Sequence, residues 1–217
     1  MTKDANTREE GFSNFVAGST DTEAVAQYYD DWAKTYDATL ADWEYEAPDR
    51  SASLVAPYLP KGARILDVGC GTGLVSEALR KHGDFHLDGL DISAESLKLA
   101  QARGTYDKLV CHDLQKLPLP VEDKAYDAAM SVGVLTYIED CNALFRDLCR
   151  CVRSGGIVAF TQRTDRWEDL DFEGLIKAIE AEGLWSVVHI GKPRGYLPGN
   201  ADFGDNIKVI HTLCRVV

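Results

Sequence analysis

The chain has 217 residues, of which 45% are hydrophobic and 27% are charged, and this composition predicts one globular domain. No apolar run approaches the roughly 20 residues of a membrane helix, and the polar N-terminus lacks the apolar core of a secretory signal. The net charge of −12 disfavours nucleic acid and anionic membranes as partners, because their phosphate groups attract basic surfaces. We therefore expect neither kind of partner.

Cysteine usage bears on the compartment of the protein. The six cysteines include no Cys-x-x-Cys pair and no spacing typical of a metal site. A chain of this length needs no disulfide bond for stability. We therefore predict reduced thiols and a cytoplasmic protein.

Two helices are predicted before the first strand. Residues 1–20 are polar and lack periodicity, so they are predicted to be flexible. Residues 21–37 form a predicted helix with one aromatic face, and residues 47–58 form a second. We divide the chain into this flexible segment, a helical lid over residues 21–60, and a core over residues 61–217.

Strands and helices alternate through the predicted core. The predicted strands are residues 64–68, 85–90, 109–112, 126–131, 157–161, 185–190 and 207–216. The predicted helices are residues 74–82, 93–103, 139–152 and 171–181. This alternation predicts an α/β fold, a Rossmann-like seven-stranded sheet that is mostly parallel and has helices on both faces. The connector over residues 191–206 is rich in Pro and Gly, so the last strand is expected to be antiparallel.

A glycine-rich turn, Asp67-Val-Gly-Cys-Gly-Thr-Gly73, follows the first strand and opens a helix. Glycines here allow a ligand to approach the backbone at the carboxyl end of the sheet. Leu74 stands where a dinucleotide-binding turn has its third Gly or Ala, which disfavours a nicotinamide cofactor. Acidic residues also end the next two strands, Asp91 and Asp113. Three carboxylates at consecutive strand ends suit the amine, the ribose diol and the adenine amine of S-adenosylmethionine.

This segment resembles the class I S-adenosylmethionine-dependent methyltransferases, whose first motif reads Asp-Val-Gly-x-Gly-x-Gly. Residues 29–37, Tyr-Asp-Asp-Trp-Ala-Lys-Thr-Tyr-Asp, resemble the lid of a subgroup that includes the methyltransferase-like protein of the Williams–Beuren chromosomal region. Residues 161–163 and 196–198 are also similar to that subgroup. The resemblance implies S-adenosylmethionine as cofactor and S-adenosylhomocysteine as product.

The resemblance also implies site residues. Those expected to bind or cover the cofactor are Tyr29, Trp32, Tyr36, Asp67, Gly69, Cys70, Gly71, Asp91, Ile92, Asp113, Leu114, Ser131, Val132 and Gly133. Of these, Asp91 and Ile92 are assigned to the ribose and adenine, and Tyr29 and Tyr36 to the methionine carboxylate. No catalytic base is implied, because direct in-line transfer mainly needs orientation of the acceptor and exclusion of water.

Several absences narrow the acceptor. Ser131-Val-Gly133 lacks the Pro-Pro motif of amide and adenine N-methyltransferases, and Ser131 replaces the first metal-binding carboxylate of catechol-type enzymes, so no metal is expected. We predict methyl transfer to a nitrogen, oxygen or sulfur atom of a small molecule, with Tyr137, Arg163 and Tyr196 as candidate substrate contacts. A catalytically silent S-adenosylmethionine-binding scaffold and an NAD-dependent oxidoreductase are the alternatives. A protein partner stays open.

Overall fold

The computed structural model describes residues 18–203 and 206–217. One mixed sheet forms its centre. The strands are β1 (Arg64–Val68), β2 (His86–Asp91), β3 (Lys108–Cys111), β4 (Tyr126–Ser131), β5 (Val152–Arg163), β6 (Trp185–Ile190), β7 (Arg194–Gly195) and β8 (Lys208–Val216). The helices are α1 (Thr22–Asp42), α2 (Ala47–Val55), α3 (Leu74–Arg80), α4 (Ala94–Arg103), α5 (Cys141–Cys151), α6 (Thr164–Asp169) and α7 (Phe172–Ala181). Two short 3₁₀ helices cover Ala56–Tyr58 and Leu135–Tyr137.

The strand order is β3-β2-β1-β4-β5-β8-β6, with β7 paired to β8 at one end. Strands β1 to β5 pair in parallel, whereas β8 is antiparallel to both β5 and β6. The α/β class, the mostly parallel sheet and the antiparallel last strand are thereby confirmed. The parallel order brings the carboxyl ends of β1 to β4 to one edge of the sheet, where open α/β sheets bind ligands.

Apolar side chains fill both faces of the sheet. Helices α5 and α7 cover one face through residues such as Phe145 and Ile176, and α2, α3 and α4 cover the other through residues such as Val55 and Leu79. A third apolar cluster, which includes Trp32, Leu197 and Phe203, lies between α1 and the segment after β7. This cluster holds α1 against the core.

The main differences from the sequence predictions are two shifted boundaries and two additional elements. Helix α1 continues five residues beyond residue 37, to Asp42. Strand β5 begins at Val152, not at residue 157, because Val152 already pairs with Tyr126 before a bulge over residues 153–156. Helix α6 and the two-residue strand β7 were not predicted. The predicted flexible segment falls mostly on residues 1–17, which lie outside the described residues.

Side chains cap the starts of α4 and α1. Ser93 accepts a hydrogen bond from the backbone N–H of Ser96 at the start of α4, and Asp21 caps α1 in the same way through Ala24. All six cysteines are free thiols. Across residues 18–203 and 206–217, every helix is too short or too polar to span a lipid bilayer.

Candidate functional site

The loop between β1 and α3 forms the floor of a cleft. Gly69, Gly71 and Gly73 have φ values of 78°, 51° and 96°, a region that favours glycine. A Cβ atom on Gly69 would lie 2.3 Å from Cγ2 of Val134, whereas one on Gly71 would meet no atom within 4 Å. The glycine at 69 therefore allows close packing, and the one at 71 keeps open space above the loop.

The carboxylate of Asp91 lies at the end of β2 beside this loop. One oxygen accepts a hydrogen bond from the Gly71 N–H at 2.7 Å, and the other accepts one from the Ser93 N–H at 2.8 Å. Burial raises the pKa of Asp91, and these backbone donors oppose that rise. Because the backbone holds both oxygens, the carboxylate has one fixed orientation toward the cleft.

The next strand end carries Asp113, which ties the start of α1 to the core. Asp113 accepts hydrogen bonds from the Thr22 hydroxyl at 3.1 Å and from the Gln115 N–H at 3.0 Å. The Gln115 amide donates to the carbonyl of Thr20 at 2.8 Å. This end of the cleft is therefore closed by the first turn of α1.

Asp67 lies beneath the glycine loop, not in the cleft wall. It is fully buried, and the Tyr106 hydroxyl donates to one of its oxygens at 2.6 Å. Burial raises its pKa to about 7, against the lowering effect of the Tyr106 hydrogen bond. The structure therefore does not bring Asp67 into direct contact with the cleft.

Helix α1 presents different residues to the cleft and to the core. Tyr29 and Tyr36, two turns apart, line the cleft. The next residue in each case docks on the core: Asp30 accepts from the Ser93 hydroxyl at 2.6 Å, and Asp37 accepts from the Thr72 hydroxyl at 2.5 Å. Asp37 also pairs with Arg103. Trp32 packs in the third apolar cluster and does not line the cleft, contrary to the expectation that it covers the cofactor.

Five tyrosines lie near the cleft end at Gly133, and three of them, Tyr29, Tyr36 and Tyr137, line the cleft. We call Tyr29, Tyr36, Tyr45, Tyr137 and Tyr196 the tyrosine cluster. The hydroxyls of Tyr29 and Tyr137 are hydrogen-bonded to each other. A Cβ atom on Gly133 would lie 2.6 Å from the Tyr45 hydroxyl and 3.8 Å from that of Tyr196. Burial raises the pKa of all five, so their hydroxyls stay protonated at neutral pH.

The cleft has a volume of about 690 Å³ with its open mouth included. Of the residues proposed from the sequence, it brings together Tyr29, Tyr36, Gly69, Gly71, Asp91, Ile92, Asp113, Leu114, Val132, Gly133 and Tyr137. Sequence reasoning missed six wall residues, Thr22, Val25, Ser96, Gln115, Val134 and Ile138. The sequence positions of two of them could have pointed to the site, because Thr22 lies at the start of the lid and Gln115 lies two residues after Asp113.

The remaining predicted residues lie behind the wall. Cys70 and Ser131 are buried, and Tyr196 contacts Tyr45 and Phe203. Arg163 is 3% exposed, forms an ion pair with Asp165 at 2.5 Å and lies 5.1 Å above the Phe203 ring. Its guanidinium already binds Asp165 through two hydrogen bonds, and Arg163 does not line the cleft, so its role as a substrate contact stays a prediction.

Comparison with known proteins gives a consistent result. A methyltransferase domain family matches residues 66–160. Human methyltransferase-like protein 27 is 35% identical over 176 residues, which cover 77% of this chain and 71% of that protein. The chain is a class I S-adenosylmethionine-dependent methyltransferase. A second relative of the methyltransferase is malonyl-[acyl-carrier protein] O-methyltransferase of Serratia marcescens, which is 29% identical to it. The alignment covers 72% of this chain and 62% of that protein.

A solved structure supports the fold of the methyltransferase. The [4+2]-cyclase SpnF superposes with a TM-score of 0.69 at 20% identity, over 92% of this chain and 98% of that one. The cofactor of the methyltransferase is S-adenosylmethionine, and the cleft fits its chemistry. Two carboxylates, Asp91 and Asp113, line the cleft and can accept hydrogen bonds from the hydroxyl and amino groups of the cofactor. Gly71 leaves room for the cofactor above the loop. The comparisons favour methyl transfer over the nicotinamide alternative.

Proposed function

We propose that this methyltransferase transfers a methyl group to a nitrogen, oxygen or sulfur atom of a small molecule held against the tyrosine cluster. The observation that carries the proposal is the set of side chains that line one cleft beneath α1. The carboxylates Asp91 and Asp113 share its wall with the rings of Tyr29, Tyr36 and Tyr137, and the first turn of α1 closes it at Asp113. A cleft closed in this way by α1 suits a small acceptor better than a polymer.

We assign the cofactor-binding roles as follows. Asp91 accepts the hydrogen bonds of the ribose hydroxyls, and Ile92 packs against the adenine. Asp113, with the backbone of Leu114, accepts the adenine amino group. Gly69 and Gly71 lie along the methionine portion, and Tyr29 and Tyr36 donate to its carboxylate. The positions of these residues in one cleft wall support the assignment.

The chain's own residues position the acceptor and exclude water. When bound, S-adenosylmethionine supplies an electrophilic methyl group on its sulfonium. The tyrosine hydroxyls are protonated, so they orient the acceptor by hydrogen bonds and do not act as bases. Among the described residues that line the cleft, no histidine is present, and the acidic ones, Asp91 and Asp113, are assigned to the cofactor. The acceptor atom should therefore carry an available lone pair at neutral pH, as in a carboxylate, a thiolate or a weakly basic amine.

We further propose membership of the subgroup that contains the human methyltransferase-like protein 27. The 35% identity and the lid sequence of residues 29–37 support this assignment. The free thiols support a cytoplasmic location, where thiols stay reduced.

Two measurements test the proposed function. Calorimetric titration should show binding of S-adenosylmethionine and S-adenosylhomocysteine but not of NAD. Methyl transfer from labelled cofactor should then appear with at least one member of a panel of small carboxylates, thiols, phenols and amines. Cofactor binding without turnover on any small acceptor, together with turnover on a protein, would refute the small-molecule proposal and leave the cofactor assignment intact.

A further inference from the structure

A second cavity lies beside α2, on the sheet face opposite α5 and α7. Its walls come from α2, from the end of β6, from β8 and from the connector that leads to β7. None of its wall residues belongs to the wall of the cofactor cleft. The second cavity is therefore a space separate from the cofactor cleft.

A buried histidine reaches this cavity. His211 on β8 is 4% exposed, and its Nδ1 lies 3.0 Å from the Ser51 hydroxyl on α2. Its Nε2 is buried and has no hydrogen-bond partner among the residues that the structure describes. When Nδ1 accepts a hydrogen bond from the Ser51 hydroxyl, the neutral ring carries its hydrogen on Nε2. That N–H group is then a donor with no acceptor. A buried donor of this kind is costly unless a ligand satisfies it.

Cationic side chains surround the histidine. Arg50 from α2, Lys192 from the connector and Arg194 from β7 line the same cavity, and His189 at the end of β6 lies beside them. Within the described ranges, Lys192 and Arg194 form no ion pair. In a chain with a net charge of −12, such a local excess of cations is unusual.

Two acidic side chains also line the cavity, and both are paired. Glu46 forms an ion pair with Arg50, and Asp49 forms one with Lys81 at 2.5 Å. These pairs leave the charges of Lys192 and Arg194 facing the cavity. The pKa of His211 is lowered to about 4 by burial and by Arg50, Arg194 and His189, so the ring is neutral in the absence of a nearby anion.

We propose that this cavity is an anion-binding site for a phosphate or carboxylate group, held by Lys192 and Arg194 beside the buried imidazole of His211. Two sources of the anion fit the location. Arg194 lies two residues before Tyr196, and Glu46 directly follows Tyr45, so two chain segments join the cavity to the tyrosine cluster. The anion is either a tail of the methyl acceptor or a free effector ion.

The test is a calorimetric titration of the full chain with inorganic phosphate at constant ionic strength. The double variant Lys192→Ala/Arg194→Ala removes two exposed side chains and should raise the Kd for phosphate by roughly tenfold or more, because charge-assisted hydrogen bonds are lost. The control Lys61→Ala/Arg80→Ala removes the same charge at two other exposed positions and should leave the Kd unchanged. Proton NMR of His211 should show its pKa rising as phosphate binds.

The outcomes test the anion site independently of methyl transfer, and they show whether the anion is an acceptor tail or an effector. Phosphate that competes with an acceptor for turnover indicates an acceptor tail, and phosphate that binds without changing the acceptor KM indicates an effector. No measurable phosphate binding, or an equal loss in both double variants, overturns the anion site. Binding of S-adenosylhomocysteine, measured on the same samples, reports separately on the cofactor cleft.

Discussion

Replacing Asp91 by Asn tests a side chain of the cofactor cleft that the backbone holds at both oxygens. Both carboxylate oxygens accept backbone N–H groups, from Gly71 and Ser93, so either rotamer of Asn turns its NH₂ group toward an N–H donor. The loss of one such bond should lower the free energy of unfolding by roughly 1–3 kcal/mol. The loss of charge should also weaken the proposed hydrogen bonds to the ribose by about 1.5–3 kcal/mol, or about 10- to 150-fold in Kd.

The control for this variant is Asp88→Asn, on the same strand and equally buried. Its carboxylate accepts from the Tyr126 hydroxyl at 2.8 Å and from Arg64 at 3.2 Å, and it does not line the cleft. Calorimetric titration with S-adenosylhomocysteine should therefore show weaker binding for Asp91→Asn only, whereas thermal unfolding detects losses in both. An unchanged Kd for Asp91→Asn would refute the assigned role of this carboxylate.

Three further predictions concern the lid, the glycine loop and the buried acid. Asp37→Ala should speed dissociation of S-adenosylhomocysteine several-fold in stopped flow, because the partly exposed ion pair of Asp37 with Arg103, which contributes roughly 1 kcal/mol, no longer holds α1 on the core. The control Asp31→Ala on the same helix should leave the dissociation rate unchanged. Gly71→Ala and Gly62→Ala impose similar backbone strain, of roughly 1 kcal/mol in denaturant unfolding, and neither new Cβ meets an atom within 4 Å. Only Gly71→Ala should weaken cofactor binding, and equal affinities would contradict the proposed contact. The pKa of Asp67 rises from 3.8 to about 7 on folding, so Asp67 alone should lower the free energy of unfolding by about 3 kcal/mol between pH 4 and pH 7. The pH dependence of denaturant unfolding should therefore differ by this amount between the wild type and Asp67→Asn.

The central sheet could be predicted from the sequence because its signals are local. Strands β1 and β4 are short apolar runs, and their observed bounds match the predicted ones. The start of β5 was missed because residues 153–156 are polar and glycine-rich, and they belong to a bulge that only the pairing of Val152 with Tyr126 reveals. Helix α6 has no buried residue, so no apolar periodicity marks it.

Site residues could be predicted at positions where the local sequence pattern alone explains the residue type. The glycines of the loop and the acidic strand ends are of this kind, and the structure places Gly71, Asp91 and Asp113 in one wall. Contacts between distant segments were not predictable. The hydrogen bonds of Gln115 to Thr20, and of Asp37 to Thr72, join positions that no spacing rule connects. Likewise, Arg163 has the chemistry of a carboxylate clamp, but its neighbour Asp165 occupies it.

The position of β8 between β5 and β6 affects how the protein is made. In the part of the chain that the structure describes, strand β6 pairs with β8 alone, although β8 follows it in the chain. During synthesis, the segment from β1 to β5 emerges first and can begin to assemble, whereas β6 must wait without a partner. Its unpaired edge is then open to association with other chains. Slow translation between β6 and β8, or an early stop before Lys208, should therefore promote aggregation more than a comparable delay before β6.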